Sequence, residues 1–292
     1  MDLNGDGHVD LLSGSYSRME QDMAGLFQVL WGKPGRKFGK AAVLNGSDGE
    51  PLILSGSGGG ENADITKICT RAFAVDLDAD GDLDLVSGNF RGTFAWFEGL
   101  GGGKFAAESK WLEGVSGDQR NELQVDAHSD PFLIDWDGDG DFDLLSGSAQ
   151  GGAFLFPNEG TKSAPSFGAR VTLLEPAGHA PGGGAFGDAH LTGPGASTRV
   201  WADDIDGDGK LDLLVGDSLT LQYPLEGNSE AKTRELLAAW DAEQAKLMEK
   251  MTPRADGSLD EAAQEAWQKH YEKREAVVRE EMTGFVWMLR RK

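Results

Sequence analysis

Positive charge is scarce in this chain: 27 Lys and Arg stand against 49 Asp and Glu, giving a formal net charge of −22 over 292 residues. Nucleic acid is therefore excluded as an expected partner, because phosphate backbones are held by clustered basic residues. Cysteine occurs once, as Cys69, which excludes an intrachain disulfide and leaves the redox compartment open. No apolar run approaches the roughly 20 residues that cross a bilayer as a helix. No secretory leader precedes the first motif either, since Met1 runs directly into "DLNGDGHVD". A motif that starts at Asp2 with no strand before it reads as a fragment or a misplaced start.

Hydrophobic residues make up 39% of the chain, enough for a core, and 42 glycines point to a turn-rich all-β protein. Seventeen of the 49 acids fall in four copies of one motif: "DLNGDGHVDLLSG" at Asp2, "DLDADGDLDLVSG" at Asp76, "DWDGDGDFDLLSG" at Asp135 and "DIDGDGKLDLLVG" at Asp204. The starts lie 74, 59 and 69 residues apart, a spacing that suits a multi-stranded unit with variable loops.

The flanks repeat as well. Apolar segments at Arg71–Asp76, Asp130–Asp135 and Arg199–Asp204 precede three motifs and read as strands buried on both faces. Each motif runs into a second strand closed by glycine. A third follows at Gly25–Gly32, Gly92–Gly99 and Gly151–Gly160, and a fourth starts at Phe38, Phe105 and Phe167. Four strands per repeat is the unit of a β-propeller blade. We therefore expect an all-β propeller of four-stranded antiparallel blades at about 1–60, 68–115, 130–177 and 197–227, with both ends incomplete. Residues 228–283 read as an inserted helical hairpin, with Ser229 and Ser258 as N-caps, a turn at Thr252–Ser258 and apolar positions such as Leu237, Trp240, Trp267 and His270. Residues 284–292 then match the third-strand pattern and return to the last blade. The two incomplete ends could complement one another on ring closure or by self-association.

Crowding carboxylates into one turn is costly: two of them about 4 Å apart repel by about 4 kcal/mol at a surface-like dielectric. A cation is the expected remedy. Positions one, three, five and nine of the motif carry side-chain oxygen in every copy: Asp2, Asn4, Asp6 and Asp10; Asp76, Asp78, Asp80 and Asp84; Asp135, Asp137, Asp139 and Asp143; Asp204, Asp206, Asp208 and Asp212. Position seven varies (His8, Asp82, Asp141, Lys210), as expected where only a backbone carbonyl coordinates. Position six is always glycine, which permits the sharp reversal. Calcium takes six to eight such oxygens, whereas zinc favours Cys and His. An EF-hand is excluded, because position twelve is Ser13, Ser87, Ser146 or Val215 in place of glutamate, and a β-like run follows. Four ions would bring the charge to −14.

These loops and their flanking strands resemble the FG-GAP/VCBS repeats, whose blades are like those of the integrin α-subunit propeller. The resemblance implies that the loop joins the first and second strands of a blade and binds calcium through the residues named above. It also implies an extracellular, periplasmic or cell-surface location, where millimolar calcium fills sites of modest affinity.

Arg71, Asp130 and Arg199 occupy one place in the repeat, five residues before each loop, with His128 nearby. They are expected either to bind a carboxylate- or sulfate-bearing ligand or to form a salt-bridge ring between blades. Long glycine-rich loops at Asn45–Thr70, Gly114–Ser129 and Pro176–Thr198 lie at the same end. Trp96, Trp136 and Trp201 read as core, Cys69 as a packed thiol, and His179 and His190 as members of a solvated loop. "SGSGGGEN" lacks the lysine of a phosphate loop. Without an acid/base pair outside the loops, the expected function is a non-catalytic scaffold that binds protein or glycan, the alternative being the platform of a polysaccharide-active enzyme.

Overall fold

The computed structural model describes residues 1–18, 23–56, 65–116, 119–176, 184–250 and 261–291. His179, Ser258 and the Thr252–Ser258 turn lie outside the described residues, as do parts of the three long loops and of "SGSGGGEN". The described residues form two compact units, the first holding Met1–Ala177, Pro194–Asp217 and Phe285–Lys292, the second Gly178–Gly193 and Ser218–Gly284.

The first unit carries four antiparallel sheets arranged as the blades of a four-blade β-propeller. Blade one has β1 (Leu11–Gly14), β2 (Phe27–Leu30), a two-residue hairpin β3 (Gly32–Lys33) and β4 (Lys37–Phe38), and β5 (Ala42–Val43), paired in the order β1-β2-β5. Blade two is β6 (Arg71–Val75), β7 (Asp84–Gly88), β8 (Phe94–Phe97) and β9 (Lys110–Trp111), followed by the hairpin β10 (Glu113–Ser116) and β11 (Gln119–Glu122). Blade three repeats the order with β12 (Asp130–Ile134), β13 (Asp143–Gly147), β14 (Ala153–Phe156) and β15 (Val171–Leu174). After the short β16 (Ala185–Phe186), blade four is built from β17 (Ala196–Asp203), the first half of β18 (Asp212–Pro224), and β20 (Val286–Leu289), which pairs Leu213 with Leu289 and Gly216 with Val286.

The register explains the motif. Arg71 faces Gly88 and Val75 faces Asp84, so the acidic loop closes a hairpin between the first two strands. Blade three has the same register, from Asp130–Gly147 to Ile134–Asp143. Both β7 and β13 are buried along their whole length, as strands flanked on both edges and covered on both faces must be.

Successive blades are joined by a small repeated device. A hydroxyl-bearing residue, just ahead of β6 and β12 and three residues into β17, lies over the glycine that closes the second strand of the preceding blade. Thr70 Oγ1 accepts from the Ser15 N–H at 2.9 Å and donates to the Leu26 carbonyl at 3.2 Å. Ser129 Oγ accepts from Asn89 N–H at 2.9 Å and donates to Thr93 O at 2.6 Å. Thr198 Oγ1 accepts from Ser148 N–H at 3.0 Å and donates to Gly152 O at 2.6 Å. A Cβ on Gly14, Gly88 or Gly147 would run into the carbonyl oxygen of Thr70, Ser129 or Thr198 respectively. The residues before these hydroxyls, Cys69, His128 and Ser197, all hold positive φ (59°, 51° and 51°), and their N–H groups reach Tyr16, Phe90 and Ala149 carbonyls of the preceding blade.

In the second unit the far half of β18 pairs antiparallel with β19 (Val278–Thr283) and parallel with β16. Helices α1 (Glu230–Lys250) and α2 (Glu261–Glu272) lie between β18 and β19 in sequence, and a 3₁₀ turn follows at Lys273–Ala276. Ser229 Oγ caps α1 by accepting from Lys232 N–H at 3.2 Å. Trp240 stacks on His270 with centroids 4.4 Å apart, and the Arg274 guanidinium lies over the same indole while holding Glu280 through two hydrogen bonds of 2.8 and 3.0 Å. The inserted segment thus holds a strand as well as two helices; β19 was hidden in the charged run "VREEMT", which has no apolar alternation.

The junction device sets a test. Gly88→Ala should lose about 2 kcal/mol or more in a denaturant titration, because backbone of the next blade occupies the space. Gly216→Ala, at the equivalent place in blade four, has open space around its Cβ and should stay within about 0.5 kcal/mol of wild type.

Candidate metal loops and inner-strand mouth

The four acidic loops share one hydrogen-bond pattern. The position-one carboxylate accepts the N–H of the position-six glycine: Asp2 from Gly7 at 2.7 Å, Asp76 from Gly81 at 3.2 Å, Asp135 from Gly140 at 3.1 Å and Asp204 from Gly209 at 3.0 Å. These glycines have φ between 84° and 98°, the left-handed conformation that the reversal needs. The position-five carboxylates of Asp6, Asp80, Asp139 and Asp208 accept the N–H of position seven at 2.8–3.1 Å. Backbone N–H groups therefore hold each set of carboxylates in place.

Position nine does a different job. Asp10, Asp84, Asp143 and Asp212 are almost fully buried. One oxygen accepts the N–H of Leu3, Leu77 or Trp136 at the start of its own loop (2.8, 2.8 and 2.9 Å). The other accepts an N–H just beyond the third strand: Gly32, Gly99 and Asn158 at 2.7 Å, and Arg291 at 3.2 Å. This aspartate is a brace between loop and sheet as well as a candidate ligand. The spacing alone gave only the ligand role.

Carboxylate oxygens from Asp76, Asp78 and Asp84 lie within 4.8 Å of one another, as do those from Asp135, Asp137 and Asp143, and from Asp204, Asp206 and Asp208. Loop one has the neutral Asn4 in place of a carboxylate at position three. Asp76 Oδ1, Asp78 Oδ1, Asp141 Oδ1 and Asp212 Oδ2 are buried without a hydrogen-bond partner. Orphaned anionic oxygens converging in oxygen-only turns fit a hard divalent cation. Loop four differs, since the Arg290 guanidinium sits 3.5 Å from Asp206.

Burial pushes the Asp84 carboxyl up to about 6, the charges of Asp78 and Asp80 adding to it against two backbone hydrogen bonds. Asp143 is raised by burial with Asp137 and Asp139 contributing, and Asp78 by burial with Asp80 and Asp76 contributing.

The inner strands place Arg71, Asp130 and Arg199 about 17 Å along the strand from the loops. Arg199 Nε meets Asp130 Oδ2 at 3.1 Å, and Arg71 Nη2 donates to Cys69 Sγ at 3.5 Å. Burial lowers the His128 pKa, and the positive charges of Arg71 and Arg199 lower it further. Burial raises Asp130 against the pull of the same two guanidiniums. All four residues are thus within electrostatic reach of one another. Two positions further along the same face, Phe73, Phe132 and Trp201 form a row with centroid separations of 5.4 and 4.9 Å. Trp201 is 53% exposed, which corrects its expected place in the core: it ends the row, with a ring on one side only. Trp96 and Trp136 are half-buried, His190 is exposed, and Cys69 is a buried free thiol. The aromatic row went unread because its members differ in type and sit in segments that look uniformly apolar.

A pH dependence follows from Asp84. Its carboxyl binds a proton more tightly in the fold (about 6) than at the ordinary 3.8, so its contribution to stability falls as pH rises through that window. In chelator, calorimetry should show melting temperature rising by about 2 °C from pH 7 to pH 5.5. A fall over that interval would contradict the assignment.

No helix among the described residues is long and apolar enough to cross a membrane. No curated protein sequence matches the chain. Among solved structures, the Tc holotoxin pore of Photorhabdus luminescens is similar at 20% identity and a TM-score of 0.38, over 74% of this chain and 8% of that one. The chain therefore spans under a tenth of the length of that relative. The family described as FG-GAP-like repeat matches residues 76–146, from the first aspartate of loop two to Ser146 within the strand that follows loop three. This propeller carries an FG-GAP-like repeat in its second and third blades.

Proposed function

We propose that the protein is a calcium-stabilised, non-catalytic propeller that presents the mouth of its inner strands to an acidic ligand outside the cytoplasm. The observation that carries the calcium part is the set of buried, unpartnered carboxylate oxygens in loops whose backbone already fixes them. Asp2, Asp76, Asp135 and Asp204 with their position-three, position-five and position-nine neighbours and the position-seven carbonyl would hold the ion, and it would neutralise charge that the fold otherwise tolerates poorly. Loops two and three, with five aspartates each, are the tighter pair. Loop one has Asn4, and loop four has Lys210 and the competing Arg290. Millimolar calcium suits such sites and favours an extracellular, periplasmic or cell-surface setting.

The ligand part rests on Arg71 and Arg199. Asp130 offsets one of the two charges, and His128 is held neutral, which leaves one positive charge on a protein of −22. A carboxylate or sulfate would be drawn there, and a sugar or other planar group could lie on Trp201. A uronate- or sulfate-bearing glycan meets both demands.

Calcium at a hundred times its dissociation constant stabilises by about 2.7 kcal/mol per site. Melting temperature should therefore rise steeply with millimolar calcium and return with chelator, and Asp137→Asn should blunt the rise; identical melts would sink the calcium reading. On a glycan array, acidic glycans should bind in preference to neutral ones. Arg71→Ala should weaken that binding at least about tenfold, one charge-assisted hydrogen bond being worth about 1.5–3 kcal/mol, with melting unchanged.

A further inference from the structure

The three filled blade junctions use the same positions each time. One face of each blade offers the first and third residues of its third strand. The facing blade offers the residue after its position-nine aspartate, together with a phenylalanine where the repeat supplies one. In the first junction Phe27 and Val29 are fully buried with Leu85 and Phe105 of blade two. In the second, Phe94 and half-buried Trp96 share a cluster with Leu144 and Phe167 of blade three. In the third, Ala153 and Leu155 share one with Leu213 of blade four.

Both halves of this same contact also occur uncovered. On blade four the third strand presents Val286 at 74% and Met288 at 39% exposure, and Gly216 has open space where its three counterparts meet the next blade. On blade one Leu11 is 48% exposed and Phe38 42%, whereas Leu85, Leu144 and Phe105 in the same roles are at 0%. A single chain thus carries two exposed apolar faces that are partners by the rule its own junctions obey. Beside Phe38 and Val9, the blade-one face also opens a cavity of about 480 Å³ rimmed by Lys33, Arg36 and Lys37. That is a basic rim on a protein of −22, suited to an acidic neighbour.

We infer that these faces join copies of this chain head to tail, the Val286/Met288 face of one copy seating the Leu11/Phe38 face of the next. The occupant is a second copy because the chain supplies both complementary halves of a contact that its own three junctions make. The interface is heterologous: different patches meet, so it either closes or continues. Two copies place eight blades in series, within the range of closed propellers, and a closed pair is the expected product. The strand β1 stays an edge strand in this assembly, and the contact is made by side chains. The inference stands on the fold and is independent of calcium or glycan binding.

Sedimentation velocity on the full chain, at up to about 100 µM, is the test. Wild type should show a species of twice the monomer mass. Leu11→Asp and Val286→Asp change exposed residues, so each should keep the wild-type melt, and each should weaken self-association at least about tenfold. Mixed together, the two variants should recover a one-to-one heterodimer, because each retains the face that the other has lost. A monomeric wild type at the highest concentration, or a mixture that stays monomeric, would overturn the inference. So would a dimer that neither substitution disturbs.

Discussion

Asp84 spends one oxygen on Leu77 N–H and the other on Gly99 N–H while nearly excluded from water, and Asp10 and Asp143 do the same in their blades. That pair of bonds ties the start of a loop to the end of the third strand, and so sets where the other carboxylates stand. A buried carboxylate that is hydrogen-bonded on both oxygens can remain in the fold, but its charge is still expensive there. In blades two and three its neighbours at positions three and five make that worse. The loops are thus mechanically settled and electrostatically unsettled, a combination that favours a cation without needing one to shape the turn.

The junction between blades solves a different problem. Sheets packed face to face need a way to fix their offset, and apolar contact alone is non-directional. Here a hydroxyl, a glycine and a residue held at positive φ provide the direction. Cys69, His128 and Ser197 are not glycine, so each bears the modest steric cost of that conformation. They are held there by N–H bonds to the preceding blade. His128 gains a second consequence from this kink, because it is brought against Phe90 at 4.4 Å and close to the two arginines.

Much of this was legible in the residues. The aspartate spacing located all four loops, and the apolar segments around them gave the strand order of each blade. "GFVWMLRRK" foreshadowed β20, whose pairing with β18 and bond from Arg291 to Asp212 repeat the third-strand pattern. Three features were not legible. Spacing could not separate a ligating aspartate from a bracing one, since both need oxygen. Trp201 looked internal because apolarity along a strand does not reveal whether a sheet covers its far face. Thr70, Ser129 and Thr198 looked like ordinary polar residues before strands, since their partners are 36 to 55 positions away in sequence.

Asp217 and Phe285 stand at either end of the inserted segment, yet each donates its N–H to the other, Asp217 to a backbone carbonyl at 3.0 Å and Phe285 to a carboxylate oxygen at 2.7 Å. Sixty-seven intervening residues leave and re-enter the blade through a gate no wider than a hairpin turn. Such a gate makes the blade indifferent to its cargo. Any module whose termini emerge side by side could be spliced there, which makes this loop a natural port for acquiring new modules by recombination.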